Sequence, residues 1–247
     1  MTRILAAITV LFLLTGCAAT LPKVSALDGA RVKQGKSAVL FLDDVEQINY
    51  LQDKYYVLAV TQEGSNSVYR GLWDSSKQLS SISAEELAKI GIPSTSVYDL
   101  LAGPEVTRLT EADKTRFTFM PRAPGTGKAP RVTSVSPELR QALLDKGQKH
   151  LIWVSWTGYQ LHIMTLGLAP TEQFLLRFWV VDLEQNKFLG GGDVRWFAKL
   201  DLGEQTGKEF LEANDLAGLK AQVEKDVRAS IASTQAVAKA TGLPVAP

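Results

Sequence analysis

The sequence predicts an α+β fold in which an antiparallel or mixed β-sheet packs on helices. Short apolar runs bounded by turn residues indicate strands, and the two longest runs flank Glu184–Lys187, an arrangement typical of a hairpin. Helical patterns lie between the strands. The last of them, from about residue 216 to 240, carries one apolar stripe at three- and four-residue steps. This stripe indicates a long amphipathic helix that packs on the sheet.

The first residues have the pattern of an export signal. Arg3 precedes the unbroken apolar run Ile4–Leu14, which is too short to cross a bilayer, and small residues follow it. The four residues Leu14–Cys17 (LTGC) resemble the lipobox of bacterial lipoproteins. The resemblance implies cleavage before Cys17, a diacylglyceryl group on its thiol, and a fatty acyl chain such as palmitate on the new amino end. Because Ala18 rather than aspartate follows, it also implies the outer membrane, with the domain facing the periplasm and surface exposure left open.

Composition narrows the classes of function. Cys17 is the only cysteine, so the mature chain forms no disulfide and its stability rests on an apolar core. Lysine and arginine together number 27 against 26 aspartate and glutamate residues, and removal of Arg3 with the signal makes the two sums equal. This balance argues against nucleic acid as a partner. The membrane is therefore expected to be reached through the lipid anchor.

We divide the chain into five parts. Residues 1–16 form a signal peptide, 17–36 a lipidated tether, 37–120 an N-terminal α/β segment, 121–136 a Pro/Gly-rich loop or linker, and 137–247 a C-terminal α/β domain. The N-terminal segment either extends the sheet of the C-terminal domain or forms a second lobe.

The N-terminal segment begins with predicted strands. Ser37–Leu42 (SAVLFL) is a short continuous apolar run, which indicates a strand buried on both faces. Residues 55–61 and 67–73 have the pattern of a hairpin that turns at Glu63–Asn66.

Helical signals follow. Ser83 and Glu86 have the spacing of a capping box, so a helix is expected to start there and to end near Lys89, before a glycine and a proline. A second helical piece is predicted over 94–102, and alternation predicts a strand over 115–120.

The C-terminal domain is more regular. Ser136 is a favourable N-cap and Pro137 suits the first helical position, so a helix is predicted from there to about residue 146. The remaining elements are the strand His150–Trp156, a stretch over 157–170 that stays undecided between strand and loop, the hairpin strands Phe174–Leu183 and Phe188–Leu200, and the last helix, capped by Asp215.

The long hairpin decides which side chains share a face. Pairing centred on its four-residue turn puts Arg177 and Trp179 on one face with Trp196, and Asp193 and Arg195 on the other. A run of three glycines in the second strand allows a bulge, which would shift the register by one residue and swap the faces beyond it. We expect Trp179 to pack under the last helix. Arg177, Asp193 and Arg195 are candidates for a partner surface, with a solvated sheet edge as the alternative.

The order of helix, strand, long hairpin and C-terminal helix over Pro137–Thr241 resembles a known group. The residues that carry the resemblance are Leu151–Val154 (LIWV), Arg177–Leu183 (RFWVVDL) and Lys187–Gly191 (KFLGG). The group comprises envelope lipoproteins related to the amino-terminal domain of TolB and to the curli-secretion protein CsgG. The resemblance implies an assembly or interaction role in the envelope, with an envelope protein or a peptidoglycan-associated partner, and it supplies no catalytic residues.

No catalytic or cofactor motif is complete. His162 has no cysteine or second histidine at metal-ligand spacing, so a surface or hydrogen-bonded histidine is the better interpretation. The pair Asp43-Asp44 at the end of a strand could bind a metal, although solvated charges are commoner there. Neither the GTGK run nor the triple glycine has the strand and helix context of a nucleotide site. We therefore predict no cofactor and a non-enzymatic binding or assembly role, with a periplasmic hydrolase or a small-ligand-binding lipoprotein as the alternative.

The lipidation site gives the first testable prediction. Cys17→Ser removes the thiol that would accept the lipid, so the variant should keep its signal or appear as a soluble product. Mass spectrometry of the mature amino end of the unaltered protein should find a lipidated Cys17. An unmodified chain that starts well after Cys17 would contradict the prediction.

Overall fold

The computed structural model describes residues 21–43, 46–56, 59–117, 135–156, 158–163 and 170–245. The helices are α1 (Ala26–Gln34), α2 (Ser75–Lys89), α3 (Val97–Leu100), α4 (Gly103–Phe117), α5 (Pro137–Asp145), α6 (Gly207–Ala232) and α7 (Thr234–Thr241). The strands are β1 (Ser37–Leu42), β2 (Gln47–Tyr56), β3 (Ala59–Val68), β4 (Ser94–Ser96), β5 (His150–Trp156), β6 (Tyr159–Ile163), β7 (Thr171–Asp182) and β8 (Lys187–Lys199). Among these described helices, none has the length and hydropathy needed to cross a bilayer. The mixed sheet with its packed helices confirms the predicted fold class.

The described strands form one mixed sheet in the order β3-β2-β6-β7-β5-β1-β4, with β8 along the other edge of β7. β5 and β6 lie end to end against β7, and one extra residue stands between Trp156 and Gln160 relative to their partners Leu176 and Gln173. On the side of β5 and β6 away from β7, β1 pairs in parallel with β5 and β2 pairs in parallel with β6. The sheet is thus built from long strands that bend at their middle.

Helices cover both faces of the sheet around β1, β4, β5 and the second half of β7. On the α6 face, Phe41 and Phe178 pack with α2, α6 and α7. On the α5 face, Leu40, Trp153 and Trp179 pack with α3, α4 and α5. Every residue of β1 is buried, which explains why its sequence is a continuous apolar run instead of an alternating one.

One sheet joins the two halves of the chain. β1 pairs with β4 on one side and with β5 on the other, so the N-terminal segment extends the sheet of the C-terminal domain. The tether predicted over 17–36 is wrong in its second half, because Ala26–Gln34 forms α1. The side chain of Ser25 caps this helix by accepting a hydrogen bond from the Asp28 N–H, and Val32 is fully buried. Most of the predicted linker lies outside the described residues.

The first predicted hairpin is wrong in its register. β2 and β3 pair without interruption from Gln47 opposite Val68 to Tyr56 opposite Ala59. The predicted turn Glu63–Asn66 therefore lies in the middle of β3. Its glycine, serine and asparagine are tolerated there because β3 is an edge strand whose residues 61–66 are exposed.

The helices of the N-terminal segment also differ from the prediction. α2 begins at Ser75, where Asp74 accepts a hydrogen bond from the Lys77 N–H, and the predicted capping-box residue Ser83 lies buried inside it. The start of this helix is difficult to predict because serine usually favours helix ends over helix interiors. Inside the helix the hydroxyl of Ser80 donates to the Ser76 carbonyl of the preceding turn at 2.7 Å. The helical piece predicted over 94–102 divides into β4 and the single turn α3.

The predicted strand over 115–120 is wrong where it can be compared. Residues 115–117 form the end of α4, and 118–120 lie outside the described part of the chain. The polar run before them follows a helical pattern that extends through residue 117. In contrast, α5 starts with Pro137 as expected and β5 has the predicted bounds. The undecided stretch contributes β6.

The long hairpin contains the glycine bulge. Val181 pairs with Phe188 near the turn, but Val180 pairs with Gly190, one residue out of step. The shift swaps the faces of β8 beyond this point, as the alternative interpretation expected. Trp196 consequently packs on the α6 face.

Trp179 is fully buried, yet the prediction that it packs under the last helix is wrong. It belongs to the α5 face, where it contacts the cluster formed by α3, α4 and α5. The hydrophobic pattern of β7 could not decide between the faces, because both faces are covered there.

Glycines of the β7–β8 hairpin and at the end of α7 pack closely against the backbone of Pro22–Val24. We call Gly190, Gly191 and Gly242 the glycine seat. A Cβ on Gly190, whose φ is +149°, would lie 2.4 Å from the Val24 nitrogen, and one on Gly242 would lie 2.5 Å from the Val24 carbonyl oxygen. The Gly191 N–H donates to the Pro22 carbonyl at 2.8 Å. The close approach of backbones explains why only glycine fits at these positions.

The last helix is interrupted rather than continuous. Its first turn has a capping box formed by Thr206 and Glu209, and the backbone leaves the helical conformation at Ala213–Leu216. Asp215 lies inside this interruption with φ +55°, so the prediction that it caps the helix is wrong. The predicted apolar stripe is confirmed, with every member buried: Leu216, Leu219, Val223, Val227, Ile231 and Val237.

The buried stripe predicts a contrast in stability. Val227→Asp places an unpaired charge against the sheet, which should cost several kcal/mol of unfolding free energy, out of about 5–15 kcal/mol for a typical domain. Lys225→Asp, on the exposed side of the same helix, should change stability by about 0.5 kcal/mol or less. Thermal unfolding of the two variants measures the difference. Equal melting temperatures would show that this helix does not contribute to the core.

Candidate functional site

Part of the sheet has one face that no described helix covers. In the half of the sheet formed by β2, β3, β6 and the adjoining parts of β7 and β8, α6 still covers one face. The opposite face of this half contributes no residue to the core formed with α3, α4 and α5. We call this side of β2, β3, β6, β7 and β8 the open face. Its members follow from the strand register: Asn49, Leu51, Asp53, Gln62, Asn66, Gln160, His162, Thr171, Gln173, Leu175, Arg177, Asp193, Arg195, Phe197 and, at the end of β8, Lys199.

The three residues predicted as a partner surface all lie on the open face. Arg177 is opposite Asp193 across the hairpin, and its Nε and Nη2 atoms both donate to the Asp193 carboxylate. The guanidinium lies 5.8 Å from the centre of the Trp179 ring. Arg195 is exposed on the same face. The glycine bulge is what brings these residues together, since an unbroken register separates Arg177 from the other two.

Sequence reasoning missed the neighbouring half of the open face. The Nε2 atom of His162 lies 2.9 Å from an Asp53 oxygen and 3.3 Å from the Gln62 amide nitrogen. The hydrogen bond with His162 lowers the pKa of Asp53, so Asp53 is ionised at neutral pH. The interpretation of His162 as a hydrogen-bonded histidine is confirmed. No local pattern could have revealed the contact, because the two residues are 109 positions apart.

The open face also exposes apolar surface. The side chain of Phe197 is 61% exposed and that of Val68, at the edge of the same face, is 63% exposed. Around them stand amide side chains and the Arg177–Asp193 pair, a mixture typical of the polar surfaces through which proteins bind partners without a large apolar patch.

A cavity of about 870 Å³ opens at the same end of the sheet on the α6 face. Tyr50 and Leu200 line it together with the cations Lys199 and Lys208. The Tyr50 hydroxyl donates to Glu212 at 2.6 Å, and burial with this carboxylate raises the pKa of Tyr50, so the hydroxyl stays a donor. The volume is in the range of small-molecule sites.

Asp43 is part of the structure and not a solvated end of a strand. It is buried, and its carboxylate accepts hydrogen bonds from the Tyr69 hydroxyl at 2.6 Å, the Ser75 hydroxyl at 2.5 Å and the Glu46 N–H at 3.0 Å. Asp44, its partner in the metal interpretation, lies outside the described residues. Within the described chain no three histidine, cysteine or carboxylate residues are grouped as a metal site would require.

A second group of buried polar side chains lies between the sheet and α6. The Tyr159 hydroxyl donates to Glu172 at 2.5 Å, and the Gln222 amide donates to the other Glu172 oxygen at 2.8 Å. Asp226 is also buried and hydrogen-bonds to Glu172. Two carboxyl groups in contact within a core are most stable when they share a proton.

Comparison with known proteins gives only distant likenesses. No protein family and no curated protein matches the sequence. Among solved structures, the PelC dodecamer from Paraburkholderia phytofirmans has 8% identity and a TM-score of 0.39 over 86% of this chain and 92% of that chain. The hypothetical protein CT253 from Chlamydia trachomatis has 15% identity and a TM-score of 0.40 over 82% and 96%. Lipoprotein GNA1162 from Neisseria meningitidis has 11% identity and a TM-score of 0.37 over 78% and 97%. The resemblance to the TolB and CsgG group stays a prediction.

The carboxyl pair predicts how stability depends on pH. Burial, and then the adjacent Glu172, raise the pKa of Asp226 to about 8, whereas an unfolded aspartate titrates near about 4. The folded chain therefore holds a proton that the unfolded chain releases over this range. The unfolding free energy contributed by this site should fall as pH rises from about 4 to 8 and level off above that.

Asp226→Asn should remove most of this dependence, because an amide keeps the hydrogen bond without ionising. Melting temperatures between pH 5 and pH 9 measure it, with Asp99→Asn, at an exposed site on α3, as the matched control. If the two variants and the unaltered protein lose stability in parallel, Asp226 is not protonated in the folded chain.

Proposed function

We propose that this protein is a lipoprotein of the bacterial envelope, anchored in the outer membrane through lipid on Cys17, whose domain binds another envelope component without catalysis. The observation that carries the proposal is the position of the lipobox-like LTGC run. It ends only five positions before Pro22, whose carbonyl accepts a hydrogen bond from the Gly191 N–H, and Val24 is already buried in the core. The lipid and the folded domain are therefore joined by a very short link.

The short link orients the domain. The five residues that follow Cys17, up to Pro22, span at most about 18 Å, so the glycine seat, which holds Pro22 and Val24, is expected to lie next to the membrane. From Gly191, β8 runs for eight more residues to Lys199, and an extended strand of that length covers about 27 Å. Phe197, near the far end of β8, is thus expected to face the periplasm, away from the anchor.

The open face is the surface that we assign to the partner. It combines an exposed aromatic side chain, amides and charged residues on a rigid sheet, which is the composition of a binding surface. An envelope protein or a peptidoglycan-associated partner fits its orientation. A serine or cysteine hydrolase that used His162 as its base would need a nucleophile beside it, and the polar contacts of this histidine within the described chain are Asp53 and Gln62.

The cavity beside α6 supports a second candidate, a lipoprotein that binds a small ligand. Its volume of about 870 Å³ suits a small molecule, and its lining includes the two cations Lys199 and Lys208 and the two carboxylates Glu63 and Asp201. The two candidates use opposite sides of the sheet. Substitutions on one side should therefore leave binding on the other side intact.

The partner surface can be tested in membranes with the full-length protein. Phe197→Asp combined with Arg195→Glu changes only exposed side chains of the open face, so the fold should be retained while recovery of the partner in a quantitative pull-down should fall at least tenfold. Leu72→Asp, at a residue that is 67% exposed outside the open face, is the matched control. Recovery of the same proteins in equal amount by both variants would contradict the assignment of the open face. A similar loss on Lys208→Glu, which alters the cavity and no residue of the open face, would favour the cavity instead.

A further inference from the structure

The sheet has three edges, and two of them are protected. β4 is only three residues long. β8 carries the glycine bulge and a lysine at each end, and the Gly191 N–H is bonded to Pro22. Such short, bulged or charged edges resist pairing with another strand.

The third edge, β3, is neither short nor bulged, and Glu63 is its single charged residue. It pairs with β2 over ten residues without a bulge, and its sequence contains no proline and no lysine. No described strand pairs with its outer side, and residues 61–66 are all exposed. A long edge without a bulge presents a row of backbone N–H and C=O groups to which another strand can pair.

The sequence of β3 is nearly symmetric about Gly64. Outward from this glycine stand Glu63 and Ser65, then the amides Gln62 and Asn66, then the hydroxyl residues Thr61 and Ser67, and finally two valines, Val60 and Val68. If two copies of β3 paired antiparallel with Gly64 opposite Gly64, every residue from Val60 to Val68 except Glu63 and Ser65 would stand opposite a residue of its own chemical class. Amide would face amide and hydroxyl would face hydroxyl, pairs that stabilise adjacent strands. No two like charges would stand directly opposite, because each Glu63 would face a serine.

We propose that β3 pairs antiparallel with β3 of a second copy of this chain, on a two-fold axis through Gly64. The pairing satisfies the free backbone groups of both edges and joins two sheets into one, as expected of a self-complementary interface. The open faces of both copies then form one continuous surface. Gly64 and Ser65 also line the cavity, so the two cavities adjoin at the axis. The pairing does not depend on the proposed function.

A strand from a different protein could in principle add to the same edge. The symmetry of the β3 sequence favours a second copy, since a foreign strand gives no reason for residues on either side of Gly64 to match. The two cases differ in what becomes linked when a cysteine is placed at the axis.

Cysteine cross-linking in membranes that contain the full-length chain tests the register. A side chain at Gly64 has room, since its Cβ would lie 3.6 Å from the nearest atom of Leu51. Opposite Cα atoms of an antiparallel pair are about 4.5–5.5 Å apart, within reach of a disulfide. Gly64→Cys should therefore give a disulfide-linked species of twice the mass on mild oxidation, and reductant should reverse it.

Gln62→Cys is the matched control. In the proposed register its two copies stand four positions apart, about 13 Å, which is too far for a disulfide. Gln62→Cys and Asn66→Cys combined in one chain should restore the linked dimer, because each would face the other across the axis. This pair also serves if Gly64→Cys disturbs the strand.

Three results would overturn the pairing. They are the absence of a dimer with both Gly64→Cys and the double variant, equal dimer from Gln62→Cys alone, and linkage of Gly64→Cys to a protein of different mass. The unaltered chain should give no dimer, since the thiol of Cys17 carries lipid. If it does form one, lipidation is contradicted, and the same variants in a Cys17→Ser background decide the pairing separately.

Discussion

The structure depends on burying β1 on both of its faces. Ser37–Leu42 carries no polar face, so it must lie inside a sheet with helices above and below it. Parallel pairing with β4 and β5 meets this requirement, and it joins a strand from the first part of the chain to one from the last part. The layer formed by α2 and α6 and the layer formed by α3, α4 and α5 both follow from it. The chain therefore builds one sheet instead of two lobes.

The bend in the long strands separates the structural half of the sheet from the half available for binding. β5 is buried along its whole length, whereas β6, which continues it, alternates between buried residues such as Leu161 and partly exposed ones such as His162. The extra residue between the two strands marks the point of this change, because an extra residue in one strand locally bends a sheet. The same sheet can thus keep a core at one end and present the open face at the other. The glycine seat lies near the covered end, which is where the proposed anchor would attach.

The buried carboxylates form hydrogen bonds that join neighbouring elements of the fold. Asp43 accepts three hydrogen bonds that join β1 to the residues around α2, and Glu172 with Asp226 joins β7 to α6. Groups of this kind cost free energy when they are left unpaired and specify the packing when they are satisfied. Their hydrogen bonds to neighbouring elements account for their burial without assigning them a reaction. The polar residues of the open face differ from them because they remain accessible to a partner.

By itself the sequence determined the elements with strong local patterns. Continuous apolar runs defined β1 and β5, a turn between two apolar runs defined the β7–β8 hairpin, and the stripe of α6 defined its buried side, because periodicity is a local property. The edge strand β3 escaped detection because an exposed strand tolerates residues typical of turns. Arg177, Asp193 and Arg195 could be named as candidates, but the register shift at Gly190 decided that they share a face. The contact of His162 with Asp53, and the wall of the cavity, arise only when strands distant in sequence pair, and the side chains that meet there follow no spacing along the chain.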